Sequence, residues 1–276
     1  MSNKIQKPFL RWAGGKTWLL KSLSKHIPGT FNNYHEPFLG GGSVFFYLNP
    51  KHKSFLSDSN DDLINAFLQV KENVEDVIKV LKEYKNTKDY YYMVREKSYK
   101  NEVKRAARFI FLNRTGFNGI YRVNLKGKYN VPYGFKNYKF LFDFELFRSA
   151  SKRLKNTKIS SNDFESTLKN IHENDFVFID PPYTVSHIKN GFIKYNEKLF
   201  SWEDQERLAN YIKQIKSKGA YFLLTNAKHV SVKNLYSQFE KPIPVNRYSN
   251  IGGKDAKREQ IQEYLFSNVK GVKWQK

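Results

Sequence analysis

The sequence predicts an α/β fold in which helices cover both faces of a mostly parallel sheet. Two observations predict it: short apolar runs recur along the 276-residue chain, and amphipathic segments of helical length separate them. Turn residues bound the apolar runs, as expected of buried strands. The predicted strands are Tyr34–Phe38, Lys53–Leu56, Phe176–Ile179, Ala220–Thr225 and Gln262–Phe266.

A helix is predicted from Trp202 to Lys218, between the third and fourth of these strands. Its apolar residues recur at the spacing that places them on one face of a helix. Ser201 can cap its first turn and Gly219 can end it. The residues that share the apolar face are Leu208, Tyr211, Ile212 and Ile215.

The chain is strongly basic, with 48 Lys and Arg against 26 Asp and Glu and a formal net charge of +22. Such a surplus attracts a polyanion, with nucleic acid the first candidate and an anionic membrane the second. Codon bias in an A/T-rich genome is the alternative cause, but it would not concentrate the charge in one region. Residues 88–158 hold 18 Lys and Arg against 5 Asp and Glu, which is more than half of the surplus.

The same basic region interleaves 16 aromatic residues with its cations. Cations that follow a phosphate backbone, with aromatic rings beside the bases, are typical of nucleic-acid surfaces. A helical insertion with an aromatic core and solvated lysines is the alternative. Two hairpin turns are indicated within the region, at Asn118-Gly119 and at Leu125–Lys128.

The composition disfavours several classes of protein and site. The chain has no Cys, which excludes disulfides and thiolate metal sites, and its His and acidic residues show no metal-ligand spacing. Residues 1–12 lack the apolar stretch of a secretory signal, and the longest apolar runs are far shorter than the roughly 20 residues of a spanning helix. We therefore expect a soluble intracellular protein with no metal and no membrane partner.

A glycine-rich turn, Phe38–Ser43 (FLGGGS), directly follows the first predicted strand. Glycine at a strand-to-helix turn lets the backbone approach a ligand at the carboxyl edge of a sheet, where open α/β folds bind ligands. A tight loop without a ligand explains the three glycines equally well. The spacing is not GxGxxG, so a dinucleotide cofactor such as NAD is not favoured.

Asp58 stands just after the second predicted strand. An acidic side chain at that edge can accept hydrogen bonds from both hydroxyls of a bound ribose. The alternative is a helix cap, because a helix is expected to start near Asn60.

The tetrapeptide Asp180-Pro181-Pro182-Tyr183 ends the third predicted strand and is the strongest signal in the sequence. Two prolines cannot continue a central strand, so the chain leaves the sheet there with a stiff backbone. The Asp180 carboxylate and a peptide carbonyl are then two fixed acceptors, suited to the two protons of an exocyclic amine, and Tyr183 supplies a face for a base ring. With both N–H bonds held, the nitrogen is oriented for in-line attack on a sulfonium methyl, and positioning supplies most of the catalysis. A simple Pro-Pro turn after a buried strand is the alternative.

These segments, in this order, resemble the Dam-type DNA adenine N6-methyltransferases over nearly the whole chain. The segment Phe9–Lys16 (FLRWAGGK) resembles the family's N-terminal cofactor segment, and Glu36–Ser43 (EPFLGGGS) resembles its glycine loop. Ser57–Asn60 corresponds to the ribose-binding acid, and Asn162–Phe164 to the segment beside the cofactor's adenine. The cofactor segments precede the basic region and the tetrapeptide follows it, which is the order of the family's α class.

The resemblance implies a Rossmann-like core that binds S-adenosylmethionine, with a mostly parallel seven-stranded sheet built from residues 1–59 and 159–276. Residues 60–158 would form an inserted, mainly helical DNA-recognition domain with a β-hairpin. The implied cofactor-binding residues are Trp12, Lys16, Glu36, Pro37, Phe38, Gly40, Asp58, Asp163, Phe164 and Asp180. The implied catalytic residues are Asp180, Pro181, Pro182 and Tyr183. Asp180 and the carbonyl of Pro181 would bind the amine of an extruded adenine, on which Tyr183 would stack.

The segment Arg114–Gly134 resembles the family's DNA-reading hairpin. Phe117 and Asn118 stand where an aromatic-Asn pair invades the duplex. Ile120 stands where an apolar side chain meets a thymine methyl, and Arg122 where an Arg contacts guanine. The implied DNA-binding residues are Arg11, Arg95, Arg114, Phe117, Asn118, Ile120, Arg122, Asn124, Asn130, Pro132 and Lys254. The implied target is the adenine in GATC, with Arg11 at a position that reads the first guanine.

Three rival functions stay open: methylation of adenine in RNA, methylation of cytosine N4 in DNA, and DNA binding without catalysis. The initial Asp180 and the hairpin favour adenine in double-stranded DNA, and the presence of both Asp180 and Tyr183 disfavours a silent protein. We expect a cytoplasmic enzyme of a prokaryotic cell or a phage-infected host, monomeric or weakly dimeric. Protection against a partner endonuclease, control of replication and repair, and service to a mobile element are all compatible with that chemistry.

Overall fold

The computed structural model describes residues 6–124, 126–184, 200–248 and 260–270. Their strands form one seven-stranded sheet in the order β3-β2-β1-β4-β5-β7-β6. The strands are β1 Tyr34–Glu36, β2 Ser54–Asp58, β3 Thr157–Ser161, β4 Phe176–Ile179, β5 Tyr221–Ala227, β6 Ile243–Tyr248 and β7 Gln260–Ser267. β1 pairs in parallel with β2 and β4, and β4 with β5, whereas β7 is antiparallel to β5 and β6. The predicted α/β class and the seven-stranded, mostly parallel sheet are confirmed.

The strand ends differ from the prediction for physical reasons. β1 stops at Glu36 because Pro37 lacks the N–H that a ladder needs, so the prediction of a strand as far as Phe38 is wrong at that end. The observed strands β2, β5 and β7 run beyond the predicted ends. β3 and β6 have no predicted counterpart. β3 contains a single large apolar residue, Ile159, and β6 contains Pro244, which is tolerated because β6 is an edge strand.

The helix predicted after the tetrapeptide is confirmed as Trp202–Ser217, one residue shorter than expected. Ser201 and Asp204 form a capping box, in which each side chain accepts a hydrogen bond from the other residue's backbone N–H. Gly219 lies at a φ of +73°, the left-handed conformation that follows many helix ends.

The other helices are Leu20–Leu23, Ser43–Leu48, Asp61–Glu72, Val74–Lys82, Lys88–Glu96, Glu102–Thr115, Phe144–Leu154 and Val230–Tyr236. Short 3-10 turns lie at Lys16–Trp18, Ser24–His26, Phe117–Gly119 and Phe164–Asn170. In the described part of the chain, no helix is both long enough and apolar enough to cross a membrane.

The chain divides into two compact units. The first unit comprises Met1–Thr17, Leu39–Lys51 and Ser57–Ser161. In it the helices Asp61–Glu72 and Glu102–Thr115 pack together, and the ring of Phe9 lies 4.9 Å from that of Phe67 and 5.6 Å from that of Phe147, measured between centroids. These aromatic pairs give the unit a buried core of its own. The predicted division into a catalytic domain and a DNA-recognition domain of residues 60–158 stays a prediction.

The second unit comprises Trp18–Phe38, His52–Leu56 and Asn162–Lys276. Its core lies between the central strands and the helix Trp202–Ser217. Alternate residues of β4 and β5 pack on the apolar face of that helix. The packed residues are Val177, Ile179, Phe222, Leu224, Leu208, Ile212 and Ile215.

Candidate functional site

The tetrapeptide of the second unit leaves the sheet at a switch point between strands. β4 lies between β1 and β5 and is parallel to both, so Glu36 at the end of β1 and Asp180 after β4 lie at the same edge. The next strand along the chain from β1 is β2, on one side, whereas the next from β4 is β5, on the other. This carboxyl edge is where open α/β sheets bind ligands.

Asp180 is oriented by a threonine of the neighbouring strand. The Thr225 hydroxyl donates to Oδ1 of Asp180 at 2.6 Å, and Thr225 itself is fully buried in β5. A short hydroxyl-carboxylate bond of this kind is among the stronger side-chain hydrogen bonds. The carboxylate therefore enters the site with a fixed orientation.

Tyr183 is tied to a buried carboxylate of β7. Its hydroxyl donates to Oε2 of Glu263 at 2.6 Å, and Glu263 is only 2% exposed. Burial and the neighbouring carboxylates of Glu263 and Asp180 raise the pKa of Tyr183 well above its ordinary value. The hydroxyl therefore stays protonated and remains a donor across the working pH range.

A buried glutamine supports the residue that follows the tetrapeptide. Gln205 donates through Nε2 to the Thr184 hydroxyl at 3.0 Å, and its Oε1 accepts from Asn226 Nδ2 at 3.0 Å. The Tyr236 hydroxyl donates to the same Oε1 at 2.6 Å. Because Gln205 is fully buried, these bonds satisfy an amide that would otherwise be costly to bury. The tetrapeptide is thus held at Asp180, at Tyr183 and just beyond it.

An aromatic pair and a clamping arginine lie at the predicted adenine segment. Phe38 stacks on Phe164, with centroids 5.3 Å apart and an interplanar angle of 29°. The Arg207 guanidinium lies 5.0 Å from the centre of the Phe164 ring and binds the carboxylates of Asp163 at 2.8 Å and Glu165 at 2.6 Å. Arg207 therefore holds both residues that flank Phe164.

Glu36 and Pro37 are buried at the end of β1. The Tyr34 hydroxyl donates to Oε2 of Glu36 at 2.8 Å. Burial and the Glu36 charge raise the pKa of Tyr34 well above its ordinary value, so this hydroxyl is also a permanent donor. The carboxylate is oriented before any ligand binds.

In the first unit, Asp58 holds the glycine loop closed. Its Oδ2 accepts from the backbone N–H of Gly40 at 3.0 Å, and its Oδ1 accepts from that of Asn60 at 3.1 Å. The cap of the helix Asp61–Glu72 is the Asn60 side chain, which accepts from Leu63, so Asp58 supports the helix start but is not its cap. Burial raises the pKa of Asp58 and the backbone bonds oppose that rise. A carboxylate oxygen can accept a second hydrogen bond, so these backbone bonds are compatible with the predicted ribose role.

The glycine loop lies directly against Trp12. A Cβ placed on Gly40 would come within 2.6 Å of the indole Cδ1, and Gly40 has a φ of +48°. The indole is itself stacked on Tyr121, with centroids 5.8 Å apart. Lys16, four residues after Trp12, is buried, and its Nζ donates to the Gly14 carbonyl at 2.8 Å.

The predicted hairpin is present in the first unit as two isolated antiparallel bridges, Gly116 with Tyr133 and Val123 with Tyr129. Its far turn is closed by Asn124, whose Oδ1 accepts from the backbone N–H groups of Lys126 and Lys128. Asn124 is therefore engaged in the turn, and the hairpin prediction at that end is confirmed.

Phe117 and Asn118 form an exposed tip beside this hairpin. Phe117 is 50% exposed, and Asn118 has a φ of 54°, so Asn118-Gly119 makes a tight left-handed turn. The backbone N–H of Phe117 donates to the Pro132 carbonyl at 2.9 Å. A large apolar ring held out in solvent is the feature expected of a wedge that enters a base stack. The side chain of Ile120, three residues on, is half-buried.

Three of the predicted DNA-binding arginines are oriented by neighbours in the first unit. Arg122 donates through Nε to Oδ1 of Asn130 at 2.8 Å. The guanidinium groups of Arg114 and Arg11 lie 4.2 Å and 5.7 Å from the centre of the Tyr138 ring. Burial lowers the pKa of Arg114, and the charge of Arg11 lowers it further. The positive charges of Arg11 and Arg114 lie over the same Tyr138 ring and repel each other, and a bound anion would reduce that repulsion.

Two further predicted DNA contacts have different outcomes. Arg95 lies over the Tyr92 ring at 4.7 Å and binds the Glu96 carboxylate, so its charge is partly engaged inside the first unit. Lys254, together with its neighbours Lys257 and Arg258, lies outside the described residues.

Sequence reasoning did not identify Thr225, Glu263, Gln205 and Arg207 as supporting residues of the site. Thr225 ends the predicted strand Ala220–Thr225, to which sequence reasoning gave no functional role. Glu263 is an acidic residue beside the apolar residues of β7, and this interruption of the apolar pattern is the sequence signal that could have identified it. Within the described part of the chain, no three His, Cys, Asp or Glu side chains are grouped as metal ligands.

Comparison with known proteins adds independent information. Residues 12–251 match the family model described as D12 class N6 adenine-specific DNA methyltransferase. The chain is 40% identical to type II methyltransferase M1.LlaDCHI of Lactococcus lactis subsp. cremoris, over 96% of this chain and 97% of the relative. It is 39% identical to type II methyltransferase M.MjaIII of Methanocaldococcus jannaschii, over 95% and 99%. It is 30% identical to the DNA adenine methylase of Escherichia coli K12, over 98% of both chains.

Proposed function

Because the chain belongs to the D12 class of N6 adenine-specific DNA methyltransferases, we propose that it transfers a methyl group from S-adenosylmethionine to adenine N6 in double-stranded DNA. The observation that carries the proposal is the tetrapeptide at the carboxyl edge of β4, with Asp180 bonded to Thr225 and Tyr183 bonded to Glu263. A positioning mechanism requires a carboxylate and a ring held in this way.

The reaction places its geometric demands on three residues of the second unit. Asp180 and the Pro181 carbonyl would accept hydrogen bonds from the two N–H groups of the target amine and so leave its lone pair free to attack the methyl carbon. The new N–C bond would form as the bond from methyl to sulfur breaks, and the amine nitrogen would lose one proton. Tyr183 stacks on the adenine ring. A stacked and paired adenine cannot present its amine in this way, so the base leaves the duplex at a cost of a few kcal/mol.

S-adenosylmethionine supplies an electrophilic methyl group on a sulfonium. The residues of each unit fit an adenosyl ligand. The first unit offers Trp12, Lys16, Gly40 and Asp58. Position 40 has room only for glycine, and the Asp58 carboxylate can accept from the ribose hydroxyls. The second unit offers Glu36, Pro37, Phe38, Asp163, Phe164 and Asp180, which include a stacked aromatic pair for the base. We propose that the residues named in each unit bind S-adenosylmethionine.

Residues 60–158 are proposed as the target-recognition domain, and the adenine of GATC as the target. The exposed Phe117 and the pre-oriented Arg122 support this assignment. Arg11, Arg114, Asn118, Ile120 and Pro132 complete the proposed contact surface, with Arg95, Asn124 and Asn130 in supporting places. We propose a monomer or weak dimer in the cytoplasm of a prokaryotic cell or a phage-infected host.

The purified chain can be tested with labelled S-adenosylmethionine on three polymers: duplex DNA of mixed sequence, RNA of the same sequence, and a dG·dC duplex. The proposal expects label on the mixed duplex alone, recovered as N6-methyladenine. Faster label on RNA, or label recovered as N4-methylcytosine, would contradict it in favour of a rival enzyme. DNA binding with no label on any polymer would leave only the silent protein.

GATC specificity needs its own assay. DNA treated with the enzyme should resist a nuclease that cuts only unmethylated GATC, whereas a nuclease with an unrelated adenine-containing site should still cut. Full cleavage at GATC despite abundant N6-methyladenine would remove this target and leave the chemistry standing.

A further inference from the structure

The buried carboxylate of Glu263 is the least expected group at the site. It lies on β7, which is hydrogen-bonded on both sides, opposite Ala227 of β5 and Val245 of β6. A carboxylate that is 2% exposed loses nearly all its hydration, so it persists only where hydrogen bonds replace the water. The Tyr183 hydroxyl supplies one such bond at 2.6 Å.

We propose that Glu263 is a positioning residue that fixes the position of the Tyr183 ring against the extruded adenine. The inference rests on the proposed function, because it assigns Glu263 a task only if Tyr183 stacks on the base. The two prolines restrain the backbone that leads to Tyr183, but its side-chain torsions remain free to rotate. A hydrogen bond to the hydroxyl, at the far end of the ring, fixes the position of that oxygen and so restrains χ1.

The placement of the second anchor strengthens the inference. Asp180 is tied to Thr225 on β5 and Tyr183 to Glu263 on β7, and these strands pair directly with each other. Thr225 pairs with Leu265, and Ala227 with Glu263, so the two anchors lie two residues apart along the ladder. The amine acceptor and the stacking ring are therefore held at a constant separation by a rigid pair of strands.

Burial and the carboxylates of Glu263 and Asp180 keep the pKa of Tyr183 well above its ordinary value, so the hydroxyl donates and Glu263 accepts. Phenylalanine would fill the same volume without that bond. Tyr183→Phe therefore isolates the bond from the ring, and Glu263→Gln keeps the shape while removing the charge that makes the bond strong.

The test is a double-mutant cycle on the full chain, with steady-state methylation of unmethylated duplex DNA of mixed sequence. Tyr183→Phe and Glu263→Gln should each lower kcat by about 10- to 100-fold, the scale of a misplaced reacting group, with little change in the KM for S-adenosylmethionine. The double variant should be no slower than the slower single variant. Glu206→Gln, the same change at an exposed position, should leave kcat unchanged.

Two results would overturn the inference. One is a Tyr183→Phe enzyme with the parent kcat. That result is decisive even if the Glu263→Gln variant does not fold. The other is a Glu263→Gln effect that persists in full in the Tyr183→Phe background, since Glu263 would then act elsewhere. Failure of the proposed function looks different: the parent itself would transfer no methyl group, or Tyr183→Ala would match it.

Discussion

Substituting Gly40 by alanine should weaken S-adenosylmethionine binding by displacing Trp12. The new Cβ would lie 2.6 Å from the indole Cδ1, roughly 0.8 Å short of the 3.4 Å at which ordinary contact begins. The indole cannot retreat freely, because Tyr121 and Phe109 pack on it at 5.8 Å and 6.4 Å between centroids. The φ of +48° adds about 1 kcal/mol of backbone strain for any residue with a Cβ.

Loss of one well-packed aromatic contact is worth about 1.5–3 kcal/mol, so the dissociation constant should rise about 10- to 150-fold by calorimetric titration. Gly127→Ala is the matched control: its φ is +71°, and nothing lies within 4 Å of the added Cβ. It should lower the unfolding free energy by about 1 kcal/mol and leave cofactor affinity unchanged. A Gly40→Ala protein that binds S-adenosylmethionine like the parent would refute the placement of Trp12 at the cofactor.

Three further predictions follow from individual contacts. Burial would raise the pKa of Asp175, but hydrogen bonds from His35, Asn33 and His172 outweigh it and lower the pKa. Asp175→Asn should therefore cost about 1–3 kcal/mol of unfolding free energy at pH 7, measured by urea titration. That cost should shrink as the pH falls below about 4. A cost that is independent of pH would contradict this. Arg207→Ala should raise the KM for S-adenosylmethionine about three- to tenfold at nearly constant kcat, with partial rescue by Arg207→Lys; an unchanged KM would remove its role. Arg122→Ala should cost about 1–3 kcal/mol of discrimination between GATC and altered sites, and equal losses on both would count against base reading.

The sign of the Asp175 prediction follows from linkage. A carboxyl group whose pKa is lower in the folded chain than its ordinary value of about 3.9 stabilises the fold above that value. As the pH falls toward the lower folded pKa, the group takes up its proton and that stabilisation disappears. The Asp175→Asn variant has no carboxyl group at this position, so its stability lacks this pH dependence.

The parts of the fold that sequence reasoning located are those whose cause is local. β4 and its tetrapeptide are recognisable because four consecutive apolar residues precede two prolines, and the helix Trp202–Ser217 because its cap, apolar face and terminal glycine are all close in sequence. β6 escaped prediction because Pro244 argues against a strand unless its place at the sheet edge is known.

The supporting contacts of the site could not be read in the same way. Thr225 is 45 residues from Asp180, and Glu263 is 80 residues from Tyr183, so only the pairing of β4, β5 and β7 brings them together. Sequence patterns identify residues that need a special chemistry or conformation. They do not identify which distant strand supplies the hydrogen bond that orients such a residue.

The central claim is that Asp180 holds the adenine amine in line with the methyl group, and Asp180→Asn tests it most directly. The variant keeps the size of the side chain but replaces one carboxylate oxygen with an amide nitrogen that donates. Single-turnover transfer of labelled methyl to duplex DNA, with both substrates saturating and folding verified, should fall by about 100-fold or more. Asp76→Asn, at an exposed position of the helix Val74–Lys82, should match the parent. Transfer by Asp180→Asn at the parent rate would contradict the account.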